Sequence, residues 1–182
     1  MTIEEHAEKL SNLAKEAVGL KEPIMKTVEM IKEALASGNK VLSCGNGGSA
    51  TDSDHFIGEL VCKFRKDRAP LAGISLNSNT AVITAIANDY GYDKVFARQV
   101  EALGKSGDVL IVISTSGTSE NVVKAAQKAK ELGIKTIALT GNVGTLAGEC
   151  DHSIAISSDD VPRIQELHAF TLHEICEALD EN

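Results

Sequence analysis

Residues 40–64 read KVLSCGNGGSATDSDHFIGELVCKF, and this stretch decides the fold. Lys40-Val41-Leu42-Ser43-Cys44 is a short apolar run of the kind that forms a strand. It passes into Gly45-Asn46-Gly47-Gly48-Ser49, a tight turn, and a mixed polar and apolar helix pattern follows from about Ala50 to Phe64. Strand, turn and helix in series make the first half of a crossover unit.

The same alternation continues downstream. Strand patterns fall at 71–76, 108–113, 135–139 and 153–156, with helix patterns at 79–88, 93–104, 119–132, 143–149 and 161–179 between and after them. Upstream, Ile3, Ala7, Leu10, Leu13 and Ala17, then Ile24, Val28, Ile31 and Leu35, recur at helical spacing and are interrupted near Gly19 and Pro23. Two helices are therefore expected over residues 1–36. Because each strand-to-strand connection contains a helix, the strands should run parallel and be covered on both faces. The expected fold is α/β: a three-layer, flavodoxin-like sandwich around a five-stranded parallel sheet, with extra N-terminal helices, as a single domain over 1–182.

A chain of 182 residues is long enough to bury about 70% of its unfolded surface without metal or disulfide support. No run approaches the ~18 apolar residues of a membrane span, and the acidic, amphipathic start MTIEEHAEKL does not resemble an export signal, so a cytoplasmic protein with no membrane partner is expected. Cys44, Cys62, Cys150 and Cys176 form no CxxC pair and lie in apolar patterns, which reads as four reduced core thiols. A net charge of −8 argues against nucleic acid as a partner. It does not exclude a phosphorylated small molecule, because charges beyond about 8 Å are largely screened in physiological salt and local donors can set the field in a pocket.

Those donors are found after the third strand pattern. Ser114-Thr115-Ser116-Gly117-Thr118-Ser119 places five hydroxyls in six positions directly before a helix, where free N–H groups and the helix dipole favour an anion. Helix capping alone would need one hydroxyl. Asn46, Gly47, Gly48 and Ser49 follow the first strand and face the same crevice, since ligands of open α/β sheets bind at the carboxyl ends of the strands. Neither loop is a Walker motif or a GxGxxG fingerprint, which disfavours nucleotides.

Two helices carry polar groups with two readings, a shared ligand or metal on the one hand and ordinary surface or structural residues on the other. His55 and Glu59 are four residues apart, on one helical face, with Cβ atoms about 5–6 Å apart. The last helix carries Gln165, Glu166, His168 and His173. Gln165 and His173 lie about 12 Å apart along an ideal helix and do not readily meet at one ion unless Gln165 lies at a frayed helix start or different subunits supply the two groups.

The segments VLSCGNGGSATDSDHFIGEL, TAIANDYGYDKVFARQV, GDVLIVISTSGTSENVVKA, IALTG and RIQELH with a later His resemble, in order over nearly the whole chain, the bacterial phosphoheptose isomerases of the sugar isomerase (SIS) domain superfamily. The resemblance implies interconversion of sedoheptulose 7-phosphate and D-glycero-D-manno-heptose 7-phosphate, leading to heptoses of lipopolysaccharide core or related surface glycans. It implies a homotetramer with interfacial active sites, and a substrate site of Asn46, Gly47, Gly48, Asn88, Asp89, Ser114, Thr115, Ser116 and Ser119, joined by Ser49, Glu59 and Gln165. It implies one zinc ion per subunit on His55, Glu59, Gln165 and His173. An aldose–ketose isomerase moves one proton between C1 and C2 and another between the two oxygens, and Glu59 is assigned as the base at carbon and His173 as the acid at oxygen. Lys63 departs from the arginine common in the family, replacing a bidentate fork with a point charge. His168, one turn from Gln165, competes with His173 on spacing alone. The alternative is a non-catalytic SIS protein that binds the bacterial replication initiator, a relative that resembles this chain around GNGGS and RIQE but lacks the counterparts of Glu59 and His173. A sugar-phosphate-sensing regulator would carry a DNA-binding domain, for which the sequence shows no segment.

Overall fold

A computed structural model of the chain describes residues 2–142 and 144–181. Helices α1 (Ile3–Glu16) and α2 (Lys21–Ala36) precede β1 (Val41–Gly45), α3 (Gly48–Val61), β2 (Gly73–Ser75), α4 (Thr80–Tyr90) and α5 (Val95–Leu103). The second half is β3 (Val109–Ser114), α6 (Glu120–Glu131), β4 (Lys135–Gly141), α7 (Leu146–Glu149), β5 (His152–Ile156) and α8 (Val161–Asp180). The five strands form one sheet in the order β2-β1-β3-β4-β5, every neighbouring pair parallel, as the alternating pattern predicts.

Side-chain alternation along the strands divides the core in two. Val41, Val109, Ile111, Ile113, Ile137 and Leu139 face one way, against α2, α3 and α8. Leu42, Cys44, Leu110, Val112 and Ala138 face the other way, against α5, α6 and α7. Both faces of β1 and β3 are thus sealed, and a parallel sheet of near-continuous apolar strands requires this.

Several boundaries differ from the sequence reading. α3 begins at Gly48 rather than Ala50, because Gly47 takes φ +56°, open to glycine at little cost, and turns the chain from strand into helix at once. Pro23 does not break the N-terminal helices: it sits in the first turn of α2, where a missing N–H costs nothing, and the interruption is a 3-10 turn over Ala17–Leu20. β2 is three residues long, since the Leu71 N–H is spent on the Leu60 carbonyl at the end of α3. α7 starts at Leu146, and Val143, where the helix was expected to start, lies outside the described residues.

The cysteines also need correction. Cys44 and Cys176 are buried, but Cys150 is partly exposed and Cys62 is exposed, because Cys62 caps the end of α3 and no longer follows its apolar stripe. All four are free thiols. Among the described residues no helix is long and apolar enough to cross a membrane.

Candidate active site

The strand order reverses between β1 and β3, so the loops that leave their carboxyl ends flank the switch point of the sheet. Gly45 and Ile113 are paired across it. Gly45 also allows the turn to fold back tightly, since a Cβ there would stand 2.5 Å from the Ser49 carbonyl oxygen. The Asn77 side chain extends the ladder beyond β1 by donating to the Gly45 carbonyl (2.9 Å) and accepting from its N–H (3.1 Å).

The second loop gathers its hydroxyls. Ser114 Oγ lies 3.2 Å from Ser119 Oγ and 3.4 Å from Ser116 Oγ, and the Gly117 N–H donates to Ser114 Oγ at 3.2 Å. Ser119 occupies the cap position of α6, yet its side chain makes no capping bond. Capping therefore does not account for the cluster. The hydroxyls are grouped at the positive end of α6, an arrangement suited to a phosphate dianion. Asn46 bridges the two loops through a reciprocal carboxamide pair with Asn121, both bonds 2.9 Å.

On the opposite face of the sheet, α3 and α8 bring together groups far apart in sequence. His55 Nε2 lies 3.1 Å from Glu59 Oε1, and the His55 ring meets the His173 ring edge-on with centroids 5.1 Å apart. Phe64 also stacks on His173, with ring centroids 5.4 Å apart. His55, Glu59 and His173 thus form one partly exposed cluster. Behind it, burial first and the Glu59 carboxylate second push the Cys176 thiol up to about 12, which keeps it protonated and unreactive.

Gln165 does not join this cluster. Its amide lies against Gly48, where an added Cβ would come within 2.4 Å of Nε2, while His173 lies beside His55. α3 and α8 therefore run side by side in the same direction, with Gln165 beside the phosphate loops and His173 two turns further on. His168 is fully buried, and burial lowers its pKa to about 4 against a weaker opposing pull from the Thr140 backbone, so the ring is neutral at ordinary pH. The His168 ring is thus withdrawn into the core, whereas His173 is partly exposed beside His55. Asn88 and Asp89 hydrogen bond to each other (2.7 Å) at the exposed end of α4, and Lys63 is exposed.

A clasp fixes α3 against α8 beyond the cluster. Arg68 donates to the Glu59 and Leu60 carbonyls, both at 2.9 Å, and to Asp180 Oδ1 at 2.8 Å. Asp180 Oδ2 accepts from the Arg65 and Lys66 N–H groups at 2.7 and 2.9 Å. Burial would raise the Asp180 carboxyl, but these amides and the guanidinium outweigh it and hold the pKa at about 2. A carboxylate depressed in the folded state stabilises above its ordinary value of 3.8 and loses that contribution as pH falls through about 2. Asp180→Ala is expected to cost about 3 kcal/mol, a Tm loss of about 8 °C, by leaving Arg68 unpaired. In thermal melts at pH 7 and at low pH, the gap to wild type should narrow in acid. A gap independent of pH would refute the clasp.

The sequence reading missed Asn77, Asn121 and Tyr92, whose hydroxyl donates to Asn46 Oδ1 at 3.0 Å. Asn121 lies two residues beyond the Ser/Thr run, but its partner is 75 residues away and no local spacing reveals it.

Comparison with known proteins finds relatives over nearly the whole chain. The SIS domain family model matches residues 4–141. The phosphoheptose isomerase of Campylobacter jejuni subsp. jejuni serotype O:6 is 47% identical over 180 residues, covering 98% of this chain and 97% of that protein. That of Helicobacter pylori strain P12 is 48% identical over 171 residues, 93% and 89% of the two chains. Among solved structures, a phosphoheptose isomerase from Francisella tularensis superposes with a TM-score of 0.96 at 37% identity, covering all of both chains. That of Neisseria gonorrhoeae gives 0.94 at 38% identity, covering 99% and 97%.

Proposed function

The chain belongs to the SIS-domain family and within it to the phosphoheptose isomerases, and from that premise we propose that it interconverts sedoheptulose 7-phosphate and D-glycero-D-manno-heptose 7-phosphate. The observation that carries this reading is the pairing of an uncharged phosphate cradle at the β1/β3 switch point with a carboxylate–imidazole cluster on α3 and α8.

Starting from the ketose, the Glu59 carboxylate removes a proton from C1 while His173 donates one to the C2 oxygen, and the electrons settle in a C1–C2 enediol. Return of a proton from Glu59 to C2, with loss of the O1 proton to the imidazole, gives the aldose. No atom is gained or lost. His55 hydrogen bonds to Glu59 and fixes the carboxylate on the face that meets His173. Each positioned proton transfer contributes about 10²–10⁴-fold. The relatives that match nearly the whole chain carry the isomerase name, which favours catalysis over the initiator-binding alternative.

The two halves of the site lie toward opposite ends of α3. Glu59 stands eleven positions after Gly48 on α3, roughly 16 Å along the helix, whereas the eight bonds from phosphorus to C1 of an extended sugar phosphate span at most about 10 Å. The distance supports active sites shared between chains of a homotetramer. Apolar Val18, Met25 and Phe170 stand exposed around a groove of about 390 Å³ formed by α1, α2 and α8, a surface suited to a second copy.

The two imidazoles, carboxylate and amide of His55, His173, Glu59 and Gln165 suit zinc chemically. Within one chain they do not fit it, since Gln165 is remote and no three His, Cys, Asp or Glu among the described residues are disposed to hold a metal. One zinc per subunit, assembled at the same subunit boundary, is part of the proposal, and no step above passes through it. A product serving heptoses of lipopolysaccharide or other surface glycans fits the reaction.

The test is NMR of sedoheptulose 7-phosphate with the purified protein, with zinc measured on the same sample. Conversion to the aldose phosphate and about one zinc per chain are expected. Absence of conversion would overturn the function, and active protein free of zinc would overturn the metal.

A further inference from the structure

Tyr92 lies on the 3-10 turn Tyr92–Lys94, beyond the α4 end that carries Asn88 and Asp89. The turn is tied to α6 by an ion pair between Lys124 and Asp93, and Lys124 also holds Glu120 at 2.7 Å. From this anchored position the Tyr92 hydroxyl reaches back 46 residues to Asn46 Oδ1. A carboxamide offers two acceptor positions and two N–H donors. In Asn46 both acceptor positions are used, one by Tyr92 at 3.0 Å and one by Asn121 Nδ2 at 2.9 Å, and one N–H is used on Asn121 Oδ1 at 2.9 Å. One N–H remains, beside the exposed Gly47 and Gly48.

We propose that Tyr92 is a positioning residue that makes Asn46 a donor, and only a donor, to an oxygen of the bound sugar phosphate. The proposal rests on the sugar-phosphate reading of this crevice. Asn121 alone cannot set the orientation: turning both carboxamides over together preserves their mutual pair and would offer an oxygen lone pair to the ligand. The Tyr92 hydroxyl selects between the two states, because a phenol donates to an amide oxygen more readily than it accepts from an amide nitrogen. With Tyr92 in place, an oxygen-rich anionic ligand meets an N–H. Without it, the ligand meets a mixture of N–H and oxygen, and the oxygen repels it.

The experiment is a double-mutant cycle on sedoheptulose 7-phosphate turnover with Tyr92→Phe, Asn46→Ala and the double variant. Tyr92→Phe keeps the ring and is expected to raise KM about fivefold, with kcat within about twofold, the pattern of a lost binding contact. In the Asn46→Ala background the same change should have no further effect, because Tyr92 acts through Asn46. A purely structural tyrosine would raise KM equally in both backgrounds, and that result overturns the proposal, as does an unchanged KM in Tyr92→Phe. If the unaltered protein does not turn over this sugar, the functional reading fails and the inference with it. An active protein indifferent to Tyr92→Phe overturns the inference alone.

Discussion

Glu59→Gln is expected to lower kcat by about a thousandfold or more, with KM and Tm near those of the unaltered protein. Glutamine has the same shape and can still hydrogen bond to His55 across the 3.1 Å separation, so the cluster on α3 and α8 should survive intact. What disappears is the ability to take a proton from carbon, since an amide is not a base in water. The loss should therefore be confined to the chemical step, where single-turnover kinetics separates it from binding. A Glu59→Gln variant within threefold of wild-type kcat would remove Glu59 as the base.

The second large effect is expected at the imidazole. His173→Ala should reduce kcat about a hundredfold, less than Glu59→Gln, because water entering the vacated space can deliver a proton to oxygen but does not readily remove one from carbon. His173 is partly exposed and packs edge-on against His55 and flat against Phe64, so truncation opens a surface gap rather than a core cavity. A Tm shift of a few degrees is the expected structural cost. Retention of full activity would exclude His173 as the acid at oxygen, and a larger loss than at Glu59 would reverse the two roles.

The fold was legible because its signals are local. Val41–Cys44, Val109–Ile113 and Thr136–Ala138 are apolar runs too short for helices, and each is followed by a helical period, which leaves little choice but a covered parallel sheet. Errors fell where a neighbour decides. Leu71 and Ala72 look like strand residues, yet β2 starts at Gly73 because the Leu71 amide is taken by α3. The start of α3 depended on one positive φ at Gly47, which sequence does not display. In the site, the density of serine and threonine before α6 was visible from composition alone. The meeting of His55 with His173 across 118 residues was reachable only through resemblance to a family, and Tyr92 and Asn121 were not reachable at all, because a contact between distant side chains leaves no periodic trace. Helical spacing from Gln165 favours His168 and the family resemblance favours His173, while burial of the His168 ring is a property that spacing does not display.

The claim on which the mechanism depends is that the cradle gripping a phosphate and the carboxylate attacking its sugar belong to different chains. Subunit complementation tests it directly. Ser119→Asp should keep α6, since aspartate caps helices well, while its charge repels the phosphate, and Glu59→Gln disables the other half. Each variant alone should be inactive. Hybrid tetramers formed by refolding the two together should recover roughly a quarter of wild-type activity, the fraction of interfaces at which both chains contribute their intact half. Hybrids as inactive as either parent would contradict it.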